Sequence, residues 1–242
     1  MIDYRITKRL QYIPGGLNVQ MSAWPSGSDW WVPTTGSATC VAAYQPKGAA
    51  SLAASYVNLA NPGTYDLTEG VAPTFDAATG WAFDATTTYL KTGIVPTSYS
   101  WSYIVRFSDA GTQIRSAAYM IGSLNATNSK GVGLSPKFSA LGNKRLYTNG
   151  GYVTGSTFSS DGIMAVAAGD GYLNGIGEGS FSPGSYELMA AFYIGARNDN
   201  PFGDSLAMNA TGWVGKIQAL AIYSTTLDAT QVGEITTAMN AL

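Results

Sequence analysis

A chain of 242 residues with 45% hydrophobic and 12% aromatic content can bury one large core. Only 12% of it is charged and the net charge is −2, so it lacks the basic footprint of a nucleic-acid or anionic-membrane binder. The absence of histidine excludes Ser-His triads, Cys-His dyads and His-rich zinc sites, and the single Cys40 excludes an internal disulfide.

Residues 1–39 read as an irregular arm. Three basic residues (Arg5, Lys8, Arg9) cluster there, and Pro14-Gly15-Gly16, Pro25, Ser26-Gly27 and Pro33 break it into short extended pieces. Trp24, Trp30 and Trp31 lie among them. Two readings stand side by side: tryptophans folded back onto the domain, or an arm for attachment, homo-oligomerisation or ligand stacking. Met1 to Arg9 has no signal-peptide core, and no apolar run reaches the roughly 20 residues needed to cross a bilayer. The expectation is a soluble chain at an extracellular or virion surface, with no export signal of its own.

Cys40 to Tyr44 reads as a short strand, and Gly48 to Asn58 as a short helix stopped by Asn61-Pro62-Gly63. Strands follow at Thr74 to Asp76 and Trp81 to Asp84, then Tyr89-Leu90. Ser100 to Phe107 alternates most cleanly: Trp101, Tyr103, Val105 and Phe107 face in, Ser102 and Arg106 face out, and Ile104 is the exception. Ala117 to Ile121, Gly131 to Leu134, Arg145 to Thr148 and Ile163 to Ala168 are further strands. Gly169-Asp170-Gly171 and Asn174-Gly175 signal hairpins, and Leu188 to Gly195 reads as a strand buried on both faces. Trp81, Trp101 and Trp213 sit within strand patterns and are assigned to the core.

Gly212 to Tyr223 is β-branched and aromatic without proline, a strand. Alternation puts Lys216 and Gln218 on one face, continued by Leu220 and Ile222, with Ile217 and Ala219 on the other. One face therefore turns from wet to dry, as beneath a covering element. That element is written next. Asp228 and Gln231 form a capping-box variant, Leu227 and Val232 a hydrophobic staple, and Val232, Ile235, Met239 and Leu242 recur at helical spacing.

Closely spaced strands with Gly- and Asn-rich turns imply an all-β, two-sheet antiparallel jelly-roll sandwich with a short C-terminal helix, residues 40–242 forming the domain. Several segments carry a resemblance. Trp81-Ala82-Phe83-Asp84 with Tyr89-Leu90, the strand Trp101 to Phe107, Gly171-Tyr172-Leu173-Asn174-Gly175, Phe192 to Arg197, and Gly215 to Tyr223 with Leu227-Asp228 resemble, in order, laminin-G-like or concanavalin A-like lectin/glucanase domains. Cys40 to Gly48 and Asn58 to Gly63 resemble the modules of phage structural proteins. The resemblance implies the fold, which hosts binders and enzymes alike; with the missing catalytic acids and few charges the expectation is a non-catalytic, glycan-binding fibre, tail or capsid-decoration protein, the alternatives being a purely structural homo-oligomeric subunit and a laminarinase-like glycoside hydrolase. Ile217-Gln218-Ala219 departs from the family's acidic step, and Ala85 replaces its glycine.

The chemistry is sparse. None of Glu69, Glu178, Glu187 and Glu234 has an acid two or four residues on, the spacing that places two carboxyls on one strand face for retaining hydrolysis. Relatives resembling this domain often bind calcium, and Asn198, Asp199, Asn200 and Asp204 offer hard oxygens in one loop; good turn formers are the competing reading. A glycan or cell-surface polysaccharide partner needs an aromatic platform and fixed polar groups. Trp30, Trp31, Tyr152, Arg197, Asn198 and Phe202 are the candidates.

Overall fold

The computed structural model describes residues 29–111, 118–125, 131–136, 144–148, 151–155, 159–182, 189–199 and 212–242. In chain order the elements are β1 (Cys40–Tyr44), α1 (Leu52–Ser55), β2 (Thr68–Val71), β3 (Thr74–Asp76), β4 (Gly80–Asp84), β5 (Tyr89–Lys91), β6 (Ser102–Ser108), β7 (Ile121–Leu124), β8 (Gly131–Ser135), β9 (Lys144–Thr148) and β10 (Gly151–Gly155). There follow β11 (Gly162–Ala167), β12 (Asp170–Leu173), β13 (Ile176–Ser180), β14 (Tyr193–Ile194), β15 (Arg197–Asn198), β16 (Val214–Tyr223) and a C-terminal helix, here α2 (Ala229–Asn240).

The strands form a two-sheet sandwich. The first sheet runs β13-β12-β11-β6-β16-β4-β3, with β1 also on β16; the second runs β10-β9-β8-β7-β14-β5-β2, with β15 on β7. Among the described residues every strand pairing is antiparallel except β15 with β7. Between the sheets lie Trp81, Trp101, Tyr103, Val105, Phe107, Trp213, Leu220 and Ile222 of the first layer, against Leu90, Ile121, Val132, Leu134, Leu146, Val153 and Ile194 of the second. The three tryptophans read as core are buried there. Asp84 to Thr88 carries the chain from the first sheet to the second, and its turn is wound on one carboxylate. Asp84 accepts from the amides of Thr86, Thr87 and Thr88 and from the hydroxyls of Thr87 and Thr88.

The first sheet has a second core on its outward side, closed by α2. Asp228 caps α2, accepting from the Gln231 amide while the Gln231 side chain accepts from the Asp228 amide. Val232, Ile235 and Met239 then face Ile104, Ile163, Ala165, Ala219, Ala221 and Tyr223. Each such side chain contributes roughly 1.5–3 kcal/mol on burial. Ile104, the exception to alternation in β6, is thus a second-core residue. Ser102, read as outward, is outward and buried: it accepts from the Leu227 amide and donates to the Thr225 carbonyl.

One reading of β16 is corrected. A bulge at Gln218 sets Ile217 opposite Phe107 and Ala219 opposite Arg106, and the extra residue inverts the alternation. Ile217 therefore joins Leu220 and Ile222 between the sheets, while Ala219, Ala221 and Tyr223 lie under the helix. The change from wet to dry along one face survives with different residues on its dry end. Leu188 to Gly195 is also not one strand. Leu188 lies outside the described residues, Met189 makes an isolated bridge to Asn125, and only Tyr193–Ile194 pair regularly. The run is apolar because it is buried, not because it is extended.

The described part of the arm, residues 29–39, crosses the helix. Trp30 and Trp31 are 6% and 8% exposed and pack edge to face at 5.5 Å within the second core. Tyr223 donates to the Trp31 carbonyl at 2.7 Å, and Glu234 accepts from the Thr34 and Thr35 amides and the Thr34 hydroxyl. On the other flank buried Asn58 accepts from the Ala43 amide and donates to the carbonyls of Val41 and Thr64, bracketing β1.

Candidate functional site on the second sheet

With the first sheet's outward side largely under α2, the second sheet's outward side is where polar and aromatic chemistry gathers. Its register can be followed strand by strand. Tyr152 of β10 pairs with Tyr147 of β9, Tyr147 with Gly133 of β8, Gly133 with Gly122 of β7, Gly122 with Tyr193 of β14, and Tyr193 with Lys91 of β5. These positions form one cross-strand row on the face opposite Ile121, Leu134, Leu146, Val153 and Ile194.

The glycines in the row are seats for other side chains. A Cβ on Gly133 would lie 2.6 Å from the Tyr119 ring, and one on Gly122 would lie 3.1 Å from Cβ and Cγ of Arg197. Tyr119 and Arg197 thus fill the gap between the tyrosine-bearing strands, and the guanidinium lies 5.1 Å from the centroid of the Tyr119 ring. Its fork holds Asp199, Nε to Oδ1 at 2.6 Å and Nη2 to Oδ2 at 3.3 Å. Burial works against the charge on Arg197, but Asp199 and Tyr119 outweigh it and raise its pKa. Towards the other edge Tyr89 packs on Tyr193 at 5.2 Å and rests on Gly70, where a Cβ would lie 2.0 Å from its ring.

The sequence candidates divide accordingly. Tyr152 and Arg197 share this face, separated by three strand spacings, about 14 Å, and Tyr152 is 50% exposed. Trp30 and Trp31 do not contribute: they were proposed as exposed platforms and are buried under α2 on the opposite side of the sandwich, because an aromatic pair in an irregular segment is as good a plug as a platform. Asn198 is buried and donates to the Ala191 carbonyl at 3.1 Å. Phe202, Asn200 and Asp204 lie outside the described residues. Of the suggested calcium ligands, Asn198 is turned inward and both oxygens of Asp199 face a guanidinium, so these two do not fit a cation. Tyr89, Tyr119, Tyr193 and Lys91 were missed, since only the pairing of distant strands brings them together.

No protein-family model and no curated protein sequence matches the chain. Solved structures do. Domain 4 of AbnA, a GH43 extracellular arabinanase from Geobacillus stearothermophilus, in complex with arabinotriose, superposes with a TM-score of 0.52 at 15% identity, over 83% of this chain and 100% of that one. Trypanosoma rangeli sialidase in complex with sialic acid gives 0.60 at 12% identity, over 85% of this chain and 34% of that one. The same sialidase with 2,3-difluorosialic acid gives 0.58 at 11% identity, over 90% and 36%. The chain therefore spans about a third of the sialidases and the whole length of the arabinanase domain. At these identities the likeness is one of fold.

Proposed function

We propose that the chain is a non-catalytic carbohydrate-recognition module whose binding face is the outward side of the second sheet. The cross-strand row carries the reading. It presents the half-exposed ring of Tyr152 for the C–H face of a sugar, and beyond it Lys91 and the partly exposed Arg197–Asp199 pair, backed by the buried Tyr119, for hydroxyls. The match to a domain solved with arabinotriose over its full length supports the same class of ligand. The non-catalytic part of the reading is supported by the sequence spacing, in which no glutamate has an acid two or four residues on. Retaining hydrolysis needs two carboxylates about 5 Å apart, whereas Glu69 is engaged by the Tyr56 hydroxyl and Glu234 by Thr34 and Thr35, on separate elements. The virion setting, which rests on the sequence resemblance, and the assembly role of residues 1–39, which rests on the composition of the arm, belong to the same proposal.

The test is a polysaccharide and glycan-array screen of the full chain, with and without EDTA, followed by Tyr152→Ala. Binding should fall about tenfold or more in the variant, with stability unchanged to within about 0.5 kcal/mol. A bound glycan whose affinity ignores Tyr152 sinks the assignment of the face. Release of reducing sugar by the purified chain sinks its non-catalytic part.

A further inference from the structure

The helix does not cover the whole of the first sheet. Where α2 ends, the outward side of β6 and β16 turns polar, and a cleft of about 360 Å³ opens, lined by Arg106, Ser108, Asp161, Gln218 and Asn240 with Ile163 and Phe107 at its wall. A space of that size accommodates a small ligand.

Three features of the cleft are more than a helix end requires. The bulge of β16 falls at Gln218, and bulges re-aim side chains next to sites. Gln218 donates through Nε2 to the Ser108 hydroxyl at 3.3 Å, leaving its amide oxygen as an acceptor. Arg106 is half-buried and uses only Nη1, donating to the carbonyls of Met239 and Leu242. Among the described residues its Nε and Nη2 meet no hydrogen-bond partner. The nitrogens left over are open to solvent at the cleft and stand as donors that an oxygen of a ligand can take in place of water. Asp161 accepts from the Asp109 amide and the Ser160 hydroxyl, and Asn240 adds an amide from the last residue of the helix.

The charges choose the ligand class. Arg106 and Asp161 make the lining itself neutral, Lys216 is paired with Asp109 at 2.7 Å, and Lys47 donates to the Leu242 carbonyl at 2.7 Å. An anion would face the Asp161 carboxylate and a cation the guanidinium. A vicinal diol satisfies both, one hydroxyl accepting from Arg106 and its neighbour donating to Asp161, with Gln218 and Asn240 as amide partners. We propose that this cleft is a second binding site, for a neutral monosaccharide or a comparable polyol. It is separate from the face of the second sheet and does not depend on that reading.

The test is a nitrogen-15 NMR titration of the full chain with L-arabinose, D-galactose and, separately, inorganic phosphate. Either sugar should shift the side-chain amides of Gln218 and Asn240 and the Nε–H of Arg106. Asn240→Trp, which fills the cleft from an exposed helix position, should lower that affinity about tenfold or more while the helix resonances keep their places. Tyr152→Ala should leave it unchanged, so failure of this site and failure of the other face are told apart. No sugar-dependent shift at these groups, or shifts confined to the second sheet, overturns the proposal. Equal shifts with phosphate overturn its neutral-ligand part.

Discussion

The outward sides of the two sheets solve one problem in two ways. On the first, the outward positions beneath α2 include alanine: Ala43, Ala165, Ala167, Ala219 and Ala221. Small side chains let a helix approach, and the apolar stripe of that helix supplies the missing volume. On the second, the corresponding device is glycine, at 70, 122 and 133, and what settles on it is a tyrosine ring or an arginine stem. Alanine under a helix makes a dry second core; glycine under aromatic and charged groups makes a surface with polar chemistry in it. The difference separates stability from function within one sandwich.

The contrast can be broken most severely from the helix side. Ile235→Ala removes a fully buried side chain of the second core and should cost about 2–5 kcal/mol in urea unfolding; a loss under about 1 kcal/mol would mean that α2 is not what closes the sheet. On the other side Gly133→Ala pushes a methyl to 2.6 Å from Tyr119 and 2.8 Å from the Ile121 carbonyl. It should cost about 1–3 kcal/mol, and more than Gly122→Ala, where a flexible arginine stem yields. Equal costs would show that the glycines are not seats. Asp228→Ala removes the carboxylate of the capping box and should cost about 1 kcal/mol, read as a fall in urea midpoint with unchanged slope.

The smallest effect concerns pH and the crossover between the sheets. Burial disfavours the charge on Asp84, but the hydroxyl and amides of Thr87, with the amides of Thr88 and Thr86, outweigh it and hold its pKa well below the ordinary carboxylate range. A folded pKa below the unfolded value of about 3.9 means that the stabilisation is fully present above that pH and drains away as pH falls towards the folded value. The urea midpoint should drop between pH 6 and pH 3. Asp84→Asn should be less stable at pH 6 and show a flatter profile; a profile parallel to that of the parent chain would remove Asp84 from the acid sensitivity.

How much of this was legible follows from the range of each interaction. The cap and stripe of α2 are local, so Asp228, Gln231 and Val232 announce the helix outright, and the anomalous Ile104 already marks a covered face. The bulge was not legible, because Gln218 carries no glycine or proline and only the partner strand shows that it is extra. For Trp30 and Trp31 the sequence left a folded-back plug and an exposed platform side by side, since burial of an irregular segment leaves no period, and the structure shows the plug. The binding face was half legible: Tyr152 and Arg197 stood out as residue types, while the row uniting them is made by pairings between strands far apart in the chain. Asn198 and Asp199 read as turn formers before they read as ligands, and the structure gives them protein partners.

β16 lies between β6 on one side and β4 and β1 on the other, yet it follows all three in the chain. A nascent polypeptide leaving the ribosome therefore carries β1, β4 and β6 through about a hundred further residues of synthesis with their shared neighbour not yet made. These strands cannot form the finished layer one after another; they must wait, and close around the final segment together. Long-range closure of this kind is slow, and a late truncation removes not a margin of the protein but the middle of its scaffold.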